Sequence, residues 1–524
     1  MAERAERRNT KSTEKTAAIL VNKNNYEFCF DVLEQSSIDF SNVLVIQARY
    51  SEEIELEITK RNKRPDVFLA YRLLPISPFI CDRVDKLQPK VCAQFDDIFR
   101  SFVAATRLGS ETFVRGHREV FCGNFKKRDS INFETEFNGY STFVDACVSE
   151  NTPVVFFVPT VASPIALTLF RLFSWHGVPC LTLKHARIGS RHLIDFSCGA
   201  KFEIVEEEMR AQGSQKHERP EDDQARELLS NLRANYSGPE YGGATVDQEI
   251  IAKNQSFSYF LEILRRSYIE IWSLTKKSLK MHKIDQYKFR KISKRFGPFF
   301  RGRSVYAYFQ SHFLSGEKFI YFPLHVEPEA SLSVYAPEYM NQLAVIESIA
   351  MALPKGYRLV VKENPNMYGL RPGFFYRSIH ATPRTELIGH KYSGTDLIKL
   401  SDLTITITGT AAMEAVFFKK PVLLLGDSPI LSLSDGYVFR KTKEDLNGAI
   451  CAALRSNHCS ENETIKFLSA ILAVSRTIPP NTAYGGYSYF PFDKKLAVAK
   501  LCGEMLDTAL SYSGVIGSSE HEVF

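Results

Sequence analysis

Short apolar runs alternate along this chain with stretches of helical spacing. Asn42 to Ala48 (NVLVIQA) and Asp66 to Tyr71 (DVFLAY) read as strands, and Phe113 to Phe121 as a weaker one. Pro153 to Pro159 is apolar throughout, the pattern of a strand buried on both faces in a parallel sheet. Ser163 to Trp175 follows at helical spacing, with Ser163 placed to cap it and Pro164 at the first helical position. Gly177 ends that helix, and Val178 to Leu183 resumes as strand, which makes a βαβ unit and a parallel sheet. Glu203 to Gly243 turns polar, as a charged helix and a Gly/Pro-rich loop would. From 250 to 283 the spacing of Phe257, Phe260, Leu261, Leu264, Tyr268 and Ile271 predicts a long helix. A second αβ region opens at Lys318. Its strands are Phe319 to Pro323, Arg358 to Lys362, Thr385 to Ile388, Leu403 to Ile407 and Val422 to Leu425. Helices fall between them over Tyr339 to Ala352, Gly394 to Leu400 and Ala411 to Phe418.

The pattern predicts an α/β fold of two Rossmann-like domains facing a cleft, joined by a helical, basic connector. A disordered tail is expected over 1–18 and an acceptor-side domain over 19–245. The connector takes 246–317, the second domain 318–490, and a final helix and tail 491–524. At 524 residues the chain exceeds one ordinary core, and its 44% hydrophobic content supplies enough apolar side chain for two or three. The ten cysteines are scattered, with no CxxC pair and no His/Cys cluster at zinc spacing, so reduced thiols and no metal are expected. The polar N-terminus lacks an apolar signal core, and no run approaches the roughly 20 residues that span a bilayer. A cytoplasmic protein, peripheral at the inner membrane, is expected.

The formal charge of +6 is mild for the length and does not by itself imply nucleic acid, and none is expected as a partner. It is concentrated between Lys276 and Arg303, where Tyr287, Phe289, Phe296, Phe299 and Phe300 are interleaved. That segment suits an anionic membrane surface first, a polyanionic glycan second and a nucleic-acid single strand third, and equally a solvated helix between domains.

Ligands of open parallel sheets sit at the carboxyl ends of the strands. In the second region those ends carry His325 and Glu329, then Lys362 and Asn364, then the turn Thr408-Gly409-Thr410 with Glu414 one helical turn on, then Gly426-Asp427. A hydroxyl-rich turn at a helix start is an ordinary cap, but with a lysine and an imidazole at neighbouring strand ends it also suits a phosphate. Glu414 is placed to accept from ribose hydroxyls. In the first region Lys184, His185, Arg187 and Arg191 follow a strand, as a basic loop or as a grip on an anionic acceptor or a sugar carboxylate.

Four stretches together resemble the capsule polysaccharide biosynthesis family. They are FPLHVEPEAS at Phe322 to Ser331, VKENPNMYG at Val361 to Gly369, TITGTAAMEAVFFKKPVLLLGD at Thr406 to Asp427, and the N-terminal stretch Pro153 to Ile194. The family includes bacterial Kdo transferases and is similar in pattern to GT-B glycosyltransferases. The resemblance implies a GT-B-like, metal-independent enzyme whose second domain binds a nucleotide sugar, often CMP-linked, with no other cofactor. Lys362, Asn364, Thr408, Gly409 and Thr410 would then fall at the donor phosphate and Glu414 near the ribose, with His325 and Glu329 as catalytic candidates. The family pattern is commonly Lys-Glu-His-Pro, and here Asn364 replaces the histidine. An amide donates but carries no charge. Either Asn364 serves neutrally, or His325 or Lys362 compensates, or donor use is altered.

The expected activity is sugar transfer, with Kdo among the candidates, from a nucleotide donor to a lipid-linked or growing surface glycan. A sugar-nucleotide epimerase on the same architecture and a non-catalytic glycan-binding or assembly protein are the rival expectations.

Overall fold

The structure is a computed structural model. It describes residues 15–47, 51–64, 69–75, 98–102, 133–213, 219–234, 316–327, 330–367, 371–388, 392–433, 438–440, 445–455, 461–480 and 486–516, with the single positions 261, 264, 265, 268 and 482. The chain divides into two compact units. One comprises 1–110, 128–243 and 465–524, the other 111–127 and 244–464.

The first unit begins with β1 (Lys15–Val21), α1 (Tyr26–Gln35), β2 (Phe40–Gln47), α2 (Glu52–Asn62) and β3 (Ala70–Pro75). It continues with α3 (Phe133–Asn151), β4 (Val155–Val158), α4 (Pro164–Trp175), β5 (Cys180–His185), β6 (Arg191–Asp195), α5 (Glu203–Gly213) and α6 (Pro220–Ala234). The helix α4 starts and stops as its sequence dictates. Ser163 Oγ accepts from the Ala166 N–H at 3.2 Å, Pro164 opens the first turn, and Gly177 at φ +75° lets the chain turn back.

The second unit runs through β7 (Phe319–Pro323), α7 (Ala330–Ser333), α8 (Gln342–Ala352), β8 (Arg358–Lys362), α9 (Gly373–Ala381) and β9 (Thr385–Ile388). Then come α10 (Gly394–Leu400), β10 (Leu403–Thr406), α11 (Ala411–Phe417), β11 (Val422–Leu424), β12 (Val438–Arg440) and α12 (Leu446–Arg455). From α13 (Glu461–Val474) the chain passes to β13 (Arg476–Thr477) and α14 (Phe492–Ile516) in the first unit.

Both sheets are built on parallel strands, as expected. The first has seven strands in the order β13-β6-β5-β4-β1-β2-β3, with β6 and β13 antiparallel. The second has six, all parallel, in the order β12-β11-β10-β7-β8-β9. In the second sheet the chain winds outward from β7 to β8 and β9, then crosses back to β10. The strand order therefore reverses between β7 and β10, the position at which such sheets bind ligands.

Alternation gives that sheet two unlike faces. Ile320, Phe322, Leu324, Leu359, Val361, Leu403, Ile405 and Ile407 pack into one apolar core with α8, α9 and α12. Tyr321, His325, Lys362, Thr404, Thr406 and Thr408 fall on the opposite face, toward α10 and α11. All six are buried.

Several expectations are corrected. The tail expected over 1–18 overlaps β1, whose Thr16 to Val21 are buried in the middle of the first sheet. The second domain ends in α13 rather than at 490, because β13 pairs with β6 and α14 packs on α1. The fit of α14 is close: a Cβ on Gly503 would lie 2.9 Å from the Gln35 backbone, and Asp507 accepts from the Ser37 N–H at 2.7 Å. The strand expected over Asp66 to Tyr71 runs instead from Ala70 to Pro75, paired with β2. The hairpin strand β6 was not anticipated. Phe113 to Phe121, the connector's long helix and the basic segment Lys276 to Arg303 lie outside the described residues.

Candidate functional site

The carboxyl ends of β7, β8 and β10 gather three of the expected side chains on one face of the second sheet. Pro323 and Lys362 are partners in register, which sets Lys362 beside the start of the His325 loop. His325 in turn touches the turn after β10, where its Nε2 accepts from the Thr408 N–H at 3.3 Å. That bond leaves the ring hydrogen of the neutral imidazole on Nδ1. Gly409 is required here. A Cβ at this position would lie 2.8 Å from Thr406 Oγ1 and 3.2 Å from His325 Nε2. Glycine keeps that space open and lets the backbone come close to the ring.

Lys362 is the unusual member. The residue is only 7% exposed, yet among the described residues no carboxylate lies within ion-pair distance of it. Burial pushes its pKa down from the ordinary value of 10.5, against the pull of the neighbouring Glu363 charge. Thr406 shows the same want of a partner: its hydroxyl is buried and makes no hydrogen bond. Buried polar groups are rarely left this way. A buried lysine without a carboxylate partner, on the same face as an unpartnered hydroxyl and an imidazole, makes an anion-seeking surface.

The loops that carry these groups are fixed by a buried ionic cluster that sequence reasoning missed. Arg371 is fully buried. Its guanidinium donates to Glu363 at 3.1 Å, to Glu327 at 2.6 Å and to the His325 carbonyl at 2.6 Å, and lies 4.5 Å from the Phe375 ring centroid. Tyr376 donates to Glu363 at 2.8 Å. Gln342 accepts from the His325 N–H at 2.8 Å and donates to the Glu327 carboxylate. His325 is thus held at its backbone N–H, its backbone carbonyl and its ring. Burial opposes the charge on Arg371, but Glu363 and Glu327 outweigh it and raise its pKa. Burial likewise raises the Glu327 pKa, against Arg371 and Gln342.

Gln342 left a trace in the sequence, since it opens the stripe Gln342, Val345, Ile346, Ile349 as a polar residue at a core position. Arg371, just before Pro372, left none.

The remaining candidates divide. Asn364 is half-buried, and its N–H donates to Glu363 at 2.8 Å. The Thr408 hydroxyl donates to the Ser331 carbonyl at 3.0 Å, so it ties α7 to the turn rather than standing free. Thr410 opens α11 without a side-chain cap, and α11 spans only 7 residues, so little helix dipole reaches the turn. Glu414 is buried on the same face, where it accepts from Thr395 at 3.2 Å. With burial it pushes the Tyr321 hydroxyl far above its usual range. Glu329 lies outside the described residues. Lys184, Arg187 and Arg191 belong to the other unit, where Lys184 is bound at 2.7 Å to the fully buried Asp195.

The sequence over residues 248–432 matches the family described as capsule polysaccharide biosynthesis protein. That stretch includes β7, β8, β10 and β11 and with them every strand end described above. Curated proteins give no match. Among solved structures the chain is similar to two of Thermosulfurimonas dismutans KpsC. One is a beta Kdo 2,7 transferase (14% identity, 63% of this chain and 80% of that one, TM-score 0.32). The other is a beta Kdo 2,4 transferase (13% identity, 64% and 84%, TM-score 0.35). It is also similar to a UDP-GlcNAc 2-epimerase from Neisseria meningitidis bound to UDP-GlcNAc (12% identity, 95% and 100%, TM-score 0.21).

Proposed function

With residues 248–432 matching the capsule polysaccharide biosynthesis family, we propose that this protein is a glycosyltransferase of surface polysaccharide synthesis. It takes a nucleotide-activated sugar at the carboxyl edge of the second sheet, CMP-linked by preference and of the Kdo type. The observation that carries this reading is Lys362, a buried lysine with no counterion among the described residues, on the face that also presents His325 and the unpartnered Thr406 hydroxyl. A donor phosphate supplies the missing charge.

In the transfer step the bond between the anomeric carbon and the phosphate oxygen breaks, and a bond to an acceptor oxygen forms. The leaving phosphate gains negative charge as it departs, and Lys362 is positioned to stabilise it. The acceptor hydroxyl gives up its proton to a general base. His325, with its hydrogen on Nδ1, is a donor held rigid by Arg371, Gln342 and Thr408. Glu414 serves the ribose from the inner end of the same face. The acceptor is a lipid-linked or growing glycan, and the basic stretch Lys276 to Arg303 brings the protein to an anionic membrane surface. Among the described residues no helix is long and apolar enough to cross a membrane.

A panel of CMP, UDP, GDP and their sugars tests the reading by unfolding midpoint. A ligand at 100 times its Kd stabilises the native state by about 2.7 kcal/mol. A saturable rise with one nucleotide series, followed by release of that nucleotide when a glycan acceptor is added, is expected. No rise with any member refutes donor binding. Isomerised sugar without transfer identifies an epimerase instead.

A further inference from the structure

Three large apolar side chains of the first unit stand in water within eight residues of chain, where α14 begins. Tyr489 is 89% exposed, Phe492 82% and Leu496 46%. Phe492 and Leu496 lie four residues apart on one helix and so share a stripe of it. The fold holds this segment firmly. Tyr487 is fully buried, with its hydroxyl 2.7 Å from an Asp31 carboxylate oxygen and its ring centroid 5.4 Å from that of Phe28. Lys495 is bound to Glu27 on α1 at 2.7 Å. Because Lys495 meets the start of α1 and Gly503 meets Gln35 at its end, α14 runs parallel to α1. α1 begins just past the carboxyl end of β1, so the exposed side chains lie toward the ligand edge of the first sheet.

The charges around them carry a surplus of cations. Over 488–500 the only acid is Asp493, against Lys494, Lys495 and Lys500. Lys495 is engaged by Glu27. Lys494 and Lys500 are exposed and meet no carboxylate within ion-pair distance among the described residues, and the Lys494 ammonium lies 4.6 Å from the Phe490 ring centroid. Phe492 and Leu496 have no hydrogen bond to offer a sugar. A stable interface between two copies takes about 800 Å² from each, and two rings with a leucine supply about half of that. Aromatic and aliphatic side chains flanked by lysines match the boundary of an anionic bilayer instead, where rings enter among the headgroups and ammonium groups reach lipid phosphates.

We propose that Tyr489, Phe492 and Leu496 insert into the headgroup boundary of an anionic bilayer, with Lys494 and Lys500 turned to lipid phosphates. This partner rests on the lipid-linked acceptor of the proposed function, although the contact itself needs no nucleotide. It differs from attraction through Lys276 to Arg303, because salt screens charges but leaves apolar insertion in place.

The full chain is sedimented with vesicles of phosphatidylcholine, with and without phosphatidylglycerol, at low and high salt. Wild type should co-sediment, more so with phosphatidylglycerol, and part of the binding should survive high salt. Tyr489→Ser combined with Phe492→Ser should lower that surviving part by about tenfold or more. Its unfolding midpoint, and the rise of that midpoint with nucleotide, should stay those of wild type, so that loss of membrane contact and failure of donor binding are read separately. Phe492→Trp should bind at least as well as wild type and add indole emission that shifts to the blue with vesicles. Absence of co-sedimentation with both vesicles overturns the proposal. So does salt-resistant binding that the double variant keeps, or lipid-free self-association that the double variant abolishes, which would make this face a contact between copies.

Discussion

Replacing Lys362 by methionine should stabilise the ligand-free protein while removing its affinity for the donor. Methionine keeps most of the apolar stem that the site buries and discards only the ammonium. The residue is 7% exposed and its ammonium has no carboxylate partner among the described residues, so in the absence of ligand it is a burden on the fold. Relief of such a functional burden typically contributes about 1 kcal/mol. For a unit of this size that moves the midpoint by about 2–4 °C. A charge-assisted hydrogen bond to phosphate contributes about 1.5–3 kcal/mol, so its loss weakens binding by about ten- to a hundredfold. The pH dependence has a fixed sign. Because burial lowers the Lys362 pKa from 10.5, the unfolded chain holds this proton to higher pH than the folded one. Its contribution to ligand-free stability therefore rises with pH across that interval, and Lys362→Met removes the rise. An anion favours the ammonium, so nucleotide affinity in the wild type falls as pH climbs through the free-protein value. Calorimetric titration with the preferred nucleotide, alongside denaturant unfolding of both proteins from neutral to alkaline pH, reads all three effects. A variant that is less stable than wild type, or that binds nucleotide equally well, refutes the reasoning.

Arg371→Leu should destabilise the second unit by about 3–5 kcal/mol, because Glu327 and Glu363 stay buried without their cation. Adding Glu327→Gln and Glu363→Gln should recover part of this in urea unfolding. Thr406→Val should leave ligand-free stability within about 1 kcal/mol, since the lost hydroxyl has no partner, and should weaken nucleotide binding by about five- to tenfold; equal binding by both proteins removes Thr406 from the site. Gly409→Ala should cost about 1–3 kcal/mol by overpacking against Thr406 and His325, with the His325 ring resonances shifted in NMR spectra. Unchanged spectra would mean the turn does not press on the ring.

The second sheet was legible because its strands announce themselves. FIYFP, RLVVK and TELI are short apolar or β-prone runs with clear stops, and each strand has the predicted bounds. β1 escaped notice because KTAAILV continues a polar tail and lacks a turn signal before it. β13 escaped for a different reason, since two residues between helices show no periodicity and pair only because β6 lies alongside. The places of His325 and Lys362 at strand ends could be read from the sequence. Arg371 was not, because it acts from a loop and its partners come from two other loops, a relation that spacing along the chain does not encode.

One step of sequence explains why the site asks for an anion. Lys362 and Glu363 are adjacent, and in a strand adjacent side chains point to opposite faces. Glu363 therefore turns toward the core face, where Arg371 and Tyr376 use its charge. Lys362 turns toward the face of His325 and the threonines and is left without a counterion among the described residues. Attraction between the two neighbours still offsets part of the burial cost, since the Glu363 charge raises what burial lowers. It cannot become an ion pair without breaking the alternation. The same cluster governs Asn364, whose N–H is held by the Glu363 carboxylate that Arg371 fixes. The backbone N–H at 364 is therefore held by Glu363, which Arg371 fixes. An amide at 364 in place of an imidazole changes what is offered to a ligand without changing where it is offered. On the proposed function, the charge offered to a donor phosphate then rests with Lys362.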